Sequence, residues 1–150
     1  MKFFTEKQWH VMCSLQDKLN KTVNPAWKTA GNAWHRAAYA EAVELMESIG
    51  WKWWKKQNPD IENCKVEVVD IWHFIISHVL TADHLTDDDF YHDFNESVSA
   101  IGKPLYHSET GKKVVLEHID SFIQDCSNNT IDKQTITTLS FIMQFIDLSY

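Results

Sequence analysis

From Val66 to Leu80 the chain is apolar on nearly every side of a helix: Val66, Val68, Val69, Ile71, Trp72, Phe74, Ile75, Ile76, Val79 and Leu80. At ~100° per residue this leaves no solvent-facing half, so the segment predicts a buried central helix. Its polar exceptions, Asn63, Glu67, Asp70, His73 and Ser77, fall within about a third of the circumference. Charge in a core is costly unless it is paired or bound to an ion. The stripe therefore needs a partner.

The surrounding segments also read as helices. Four Gly and three Pro in 150 residues supply little turn chemistry for many short strands. Thr5 and Gln8 form a T-x-x-Q capping box that opens a helix to about Lys21. Pro25 and Gly31 mark 22–31 as a loop; Asn32 is expected to cap a second helix, which runs to about Ile49 and stops at Gly50. Residues 51–57 read as a short helix or turn ended by Asn58-Pro59, and the apolar helix starts near Asp60 or Asn63. Thr86 with Asp87, Asp88 and Asp89 begins a fourth helix that Gly102-Lys103-Pro104 ends. Ser108 or Thr110 opens a fifth, to about Cys126, and Asp132 a sixth, to about Leu148. The expectation is one all-α domain over 1–150, a bundle of about six helices. Its motifs lie in about 5–82, with a helical remainder over 86–150.

A formal net charge of −7 disfavours nucleic acid and anionic membranes, and repels polyanionic small molecules unless a cation mediates. Cys13, Cys64 and Cys126 are scattered and odd in number, which argues for free thiols and a reducing cytoplasm. No signal peptide is readable in residues 1–10, and no apolar run approaches the ~18 residues of a membrane span. Seven Trp mark either an aromatic core or a surface that stacks on flat ligands.

The second helix repeats the pattern of the third. Ala37, Ala38, Ala42, Leu45, Met46 and Ile49 make it broadly apolar, yet Glu41 and Glu44 sit among them with Ser48 a turn further on. The i,i+3 spacing puts both carboxylates on one face, as it does for Glu67 and Asp70. Packed face to face, the two helices would gather four carboxylates, whose repulsion a hard divalent cation removes. All-oxygen ligation suits Mg²⁺ or Mn²⁺. Ion pairing is the plainer alternative. Arg36 is the only Arg and the lysines cluster off these faces, so metal is favoured.

Directly after the second helix comes Trp51-Lys52-Trp53-Trp54-Lys55-Lys56. Lysines suit phosphate oxygens and flat aromatics suit a base, although any single Trp is more often a core plug. On the first helix Gln16 and Asn20 lie i,i+4 on the core-facing side, where buried amides must find hydrogen bonds. They could cap backbone, or read the edge of a pyrimidine.

Four motifs in this order, Leu15 to Asn20, Glu41-Ala42-Val43-Glu44 with Ser48, Lys52-Trp53-Trp54-Lys55, and Glu67 to Phe74 with Ser77, resemble the dimeric dUTPases. That family belongs to the all-α nucleotide pyrophosphohydrolases, beside MazG-like enzymes and phage dCTPase-dUTPases. The resemblance spans roughly residues 14–80. It implies hydrolysis of dUTP, and also dUDP, to dUMP by a homodimer. Mg²⁺ would be held by Glu41, Glu44, Glu67 and Asp70; on the physical mechanism of metal-assisted attack by water, Glu44 is expected to be ligand and general base at once. Uracil would meet Gln16, Asn20, Trp53, His73 and Phe74, and the phosphates Lys52 and Lys55. The family's C-terminal motif, a Tyr/Lys/Asn-rich stretch followed by an Arg, has no match after Leu80, and Lys112-Lys113 is not mapped onto it.

Other readings stay open. A dCTPase or broader pyrophosphohydrolase would share the fold and metal site. His73, His78, His84 and His92-Asp93 faintly suggest a helical phosphohydrolase with His ligands. A nucleotide-sensing protein without turnover would suit the missing C-terminal motif.

Overall fold

The computed structural model describes residues 3–82, 87–100 and 109–146. Among them are six α-helices and no strand: α1 (Glu6–Val23), α2 (Trp34–Ile49), α3 (Ile61–Val79), α4 (Asp87–Ala100), α5 (Glu109–Ser127) and α6 (Lys133–Phe145). The all-α expectation holds. Thr86, Gly102-Lys103-Pro104, Ser108 and Leu148, named above as helix boundaries, lie outside the described residues.

Local signals set most of the starts. Thr5 accepts from the Gln8 amide while Gln8 Oε1 accepts from the Thr5 amide at 2.8 Å, completing the capping box. Asp60 caps α3 and Asp132 caps α6 in the same sense. Gly50 ends α2 at φ +77°, where a Cβ would also crowd Gln57 Cβ at 3.1 Å. Residues 51–57 contain turns rather than a helix. The expected Asn32 cap is corrected: α2 starts at Trp34 after Ala33, with no side-chain cap. Its entry is instead fixed by tertiary packing, Trp34 lying edge-on to Trp27 and stacked on Phe74.

The helices pack α2 on α3, α1 on α3, α5 on α2, and α6 on both α4 and α5. α2 and α3 run antiparallel, tied where the Asp60 amide donates to the Ser48 carbonyl at 2.8 Å. Their shared layer is Ala38, Ala42, Leu45, Ile49, Cys64, Val68, Ile71 and Ile75, all essentially buried. Small Ala38 and Ala42 on one side against Val68 and Ile71 on the other let the axes approach closely. An aromatic cluster of Phe4, Trp9, Trp72, Phe90 and Phe94 joins α1, α3 and α4, with ring centroids 5.0–6.1 Å apart. No helix among the described residues is long and apolar enough to cross a membrane, and the three cysteines are buried and form no disulfide.

The third helix is not buried all round as its pattern predicts. Val66 is 54% and Val69 41% exposed. Val69 adjoins α1, whose Val11, Leu15 and Leu19 form an exposed i,i+4 stripe. Val11, Met12 and Val69 line one shallow depression between the two helices. Among the described residues, nothing covers this apolar surface.

Candidate active site

The antiparallel α2–α3 pair brings the two i,i+3 acidic faces together. Carboxylate oxygens of Glu41, Glu67 and Asp70 all lie within 4.8 Å of one another. Glu67 is buried, at 6% exposure, while Glu41 and Asp70 are half-buried. Glu44 stands outside this triple with an exposed side chain, yet its charge acts on both Glu41 and Glu67. Among the described residues none of the four forms an ion pair with Lys or Arg. The salt-bridge alternative therefore has no support.

Two glutamates respond to this crowding. Burial, and then the charges of Glu44, Asp70 and Glu67, push the Glu41 carboxyl above the ordinary carboxylate range. Burial raises Glu67 as well, against hydrogen bonds from Asn63 and Glu41 that favour its charged form. The hydrogen bond between the two raises Glu41 and lowers Glu67, so of the pair it favours the proton on Glu41. Asn63 Nδ2 donates to Glu67 Oε1 and to Ser48 Oγ, each at 2.7 Å, so Glu67 is held by a second layer of polar groups.

Asp70 also lines a cavity of about 460 Å³, next to Gln16, Asn20, Trp34, His73 and Phe74. A directional chain of hydrogen bonds sets its polar wall. His73 Nδ1 meets Gln16 Oε1 at 2.5 Å, Gln16 Nε2 donates to Asn20 Oδ1 at 3.0 Å, and Asn20 Nδ2 donates to Ser77 Oγ at 2.9 Å. Ser77 Oγ then donates to the His73 carbonyl at 2.9 Å. With Gln16 Oε1 as acceptor, Nδ1 of His73 is the donor, and in that tautomer Nε2 is the acceptor nitrogen of the imidazole. Phe74 and Trp34 supply a flat apolar wall at a 27° interplanar angle.

The sequence-predicted residues therefore divide between two places. Gln16, Asn20, His73 and Phe74 come together around the cavity, beside Asp70 and the acidic cluster. Lys52, Trp53 and Lys55 stand on a different cleft, between residues 50–57 and α5, with Trp53 88% exposed. Lys52 Nζ is bonded to Glu47 Oε2 at 2.6 Å. Trp34 was not singled out by the sequence. Its spacing could have done so, because seven residues, about two turns, place it on the Glu41 face. Of the histidines named above, His84 lies outside the described residues, and among those described the grouping of metal-type ligands contains no His.

The helices and this groove define an all-α protein of the carboxylate-cluster class, with a cavity sized for a heterocyclic base beside its acidic triple. A family model described as dUTPase matches residues 8–150. The chain belongs to the dUTPase family, a group of dUTP-related nucleotide hydrolases. No curated protein is similar enough to count as a match.

Proposed function

We propose that the protein hydrolyses dUTP, and also dUDP, to dUMP, with Mg²⁺ as cofactor and Mn²⁺ as a possible substitute. The observation that carries this is the double position of Asp70, which belongs to the acidic cluster and lines the base-sized cavity. A nucleotide seated in the cavity has its phosphates beside the carboxylates. The donor set fits the ion: oxygen ligands only, buried at Glu67 and half-buried at Glu41 and Asp70, close together and, among the described residues, without a lysine or arginine ion pair. Glu41, Glu44, Glu67 and Asp70 would hold it; when bound, it neutralises phosphate charge and lowers the pKa of an attacking water.

Glu44, exposed and unpaired beside the triple, takes the proton from that water. The water oxygen forms a bond to phosphorus, the bond to the leaving phosphate oxygen breaks, and dUTP yields dUMP and pyrophosphate. His73 Nε2 as an acceptor complements the N3–H of uracil, whereas N3 of cytosine would place two acceptors against each other. An unmet pair of that kind costs ~1–3 kcal/mol, or roughly 10–100-fold in selectivity. Gln16 and Asn20 hold His73 in this state and offer their remaining amide groups to the carbonyl edges.

Pyrophosphate release from dUTP, dCTP and dTTP, with and without Mg²⁺, tests the proposal. The expected result is Mg²⁺-dependent turnover that favours dUTP. Preference for dCTP would move the assignment to a dCTPase, and tight dUTP binding without product would make the protein a nucleotide sensor.

The same proposal includes a homodimer in a reducing cytoplasm. The exposed Val11–Leu15–Leu19 stripe with Val66 and Val69 is the face that a second copy would cover. Sedimentation should give a dimer for the wild type and a monomer for Leu15→Asp. An unchanged dimer in that variant would discard this face.

A further inference from the structure

Between Lys21 and Ala33 the one buried residue is Trp27, at 2% exposure. This segment contains the short 3₁₀ helix Trp27–Thr29 and supplies Asn24, Trp27 and Asn32 to the wall of the base-sized cavity. Chain that buries so little apolar surface opens readily, so a cavity wall built from it needs an anchor.

The anchor is narrow. The segment's backbone bonds are local, such as those from the Trp27 amide to the Asn24 carbonyl and from the Thr29 amide to the Ala26 carbonyl, each at 3.0 Å. Its Asn24 and Thr29 side chains also bond within it, both to Ala26. Trp27 reaches further. Its Nε1 donates to Asp17 Oδ1 on α1 at 3.3 Å. Lys28 Nζ approaches the same oxygen at 3.9 Å, and Lys21 Nζ donates to Asp17 Oδ2 at 2.6 Å.

Magnitude separates these contacts. Lys21 and Lys28 are more than half exposed, and exposed ion pairs contribute little. The indole belongs to a buried side chain, and a buried donor that loses its acceptor carries the full cost of its desolvation. The hydrogen bond from Lys21, with smaller contributions from Trp27 and Lys28, keeps the Asp17 carboxyl below the ordinary carboxylate range. Asp17 is therefore ionised at neutral pH and accepts on both oxygens.

Trp27 in turn holds Trp34. The two rings meet edge-on, with centroids 5.9 Å apart at 76°, and Trp34 stacks on Phe74. Gln16, directly before Asp17, bonds His73 of the polar wall. Adjacent residues of α1 thus reach two walls of one cavity.

We propose that Asp17 is a positioning residue of this cavity, acting through the Trp27 indole N–H to hold the aromatic wall in place for a nucleotide base. The inference rests on the cavity being a base site. Without the bond, the segment spends more of its time away from α1, and apparent affinity falls with the fraction of molecules that keep the wall formed. The acidic cluster is untouched, so the loss is in binding and not in the chemical step.

Two readouts on three substitutions test this. In nucleotide-free protein the Trp27 indole proton, assigned by its disappearance in Trp27→Phe, should exchange with solvent at least about tenfold faster in Asp17→Ala than in the wild type. With dUTP and saturating Mg²⁺, Asp17→Ala should raise KM about tenfold and change kcat by less than about twofold. Asp17→Asn keeps an acceptor oxygen and loses only the charge, so its KM should stay within about twofold of the wild type. In a Trp27→Phe background Asp17→Ala should add nothing to KM, because both substitutions remove one bond. Additive effects, or an Asp17→Asn variant as impaired as Asp17→Ala, overturn the route through the indole. Faster indole exchange with an unchanged KM overturns the role in the cavity. Failure of the nucleotide reading is told apart because it shows in the wild type, as absent turnover and absent dUTP binding, and it removes the base from the proposal whatever the indole exchange is.

Discussion

The two halves of the molecule bury the same number of polar side chains but connect them differently. Among the described residues, α1–α3 bury Gln16, Asn20, Ser48, Glu67 and Ser77, and α4–α6 bury Asn95, Ser97, Thr135, Thr138 and Ser140. In the second half Asn95, Thr138 and Ser140 each donate to a carbonyl of their own helix, at 2.8–3.0 Å, and the bonds that cross between helices, Ser97 with Thr137 and Thr135 to Asp125, line none of the acidic groove. Such same-helix bonds commit the donor to the residue's own backbone. In the first half the bonds run from side chain to side chain between helices: Gln16 to His73, Asn20 to Ser77, Asn63 to Ser48. Here too is Glu67, the one buried carboxylate among the described residues. Buried polarity marks a site where it spans helices and faces open space, and marks mere packing where it turns back on its own backbone.

Substitution on either side should break the comparison most sharply at Glu44. Glu44→Gln keeps the shape of the side chain and removes the proton acceptor, so kcat for dUTP at saturating Mg²⁺ should fall by about 10²–10⁴-fold. Thr138→Val removes a buried hydroxyl of the other half. It should leave kcat unchanged and cost about 1 kcal/mol in urea unfolding. Near-normal turnover by Glu44→Gln would remove that residue from the chemistry.

A smaller effect is expected one layer out. Asn63 touches neither the cavity nor a phosphate, but its amide holds both Glu67 and Ser48. Asn63→Ala should weaken Mn²⁺ binding by roughly 10–100-fold, the usual consequence of losing a group that orients a ligand. Asn95→Ala, its counterpart in the second half, should leave Mn²⁺ affinity unaltered. Equal losses in both variants would mean that general destabilisation explains the result.

These contrasts also show what a sequence discloses. The capping box of Thr5 and Gln8 was legible because both partners are three residues apart. The acidic pairs were legible for a similar reason: i,i+3 spacing on apolar helices fixes a face before any packing is known. Asn32 misled, because the start of α2 is decided by Trp34 against Trp27 and Phe74, and Phe74 is forty residues away. Val66 and Val69 fit the apolar pattern of a buried helix, but the pattern does not say which neighbour does the burying. The closeness of the α5 lysines to residues 50–57 was not legible, since it exists only once α5 packs on α2.

The slightest expected effect, and the one most specific to the acidic half, concerns protons. Glu41 and Glu67 both have carboxyls raised above their ordinary value of 4.5 in the folded, metal-free protein. Between that value and the raised ones the folded state binds more protons than the unfolded chain. Stability from these groups is therefore full below the ordinary range and falls as pH rises through the folded values. Asp17 and Glu47, lowered by their lysine partners, act in the opposite sense at acid pH, so the wild-type curve alone does not isolate the cluster. The difference between wild type and Glu41→Gln does. Metal-free, Glu41→Gln should gain Tm relative to wild type as pH rises towards neutrality, because the glutamine no longer has to lose a proton among its neighbours. A bound cation requires the ionised carboxylates, so Mg²⁺ binding to the wild type should release protons. Calorimetry in two buffers of different ionisation enthalpy reads that release directly. A difference curve flat with pH, together with no proton release, would mean that the three carboxylates do not share one electrostatic environment.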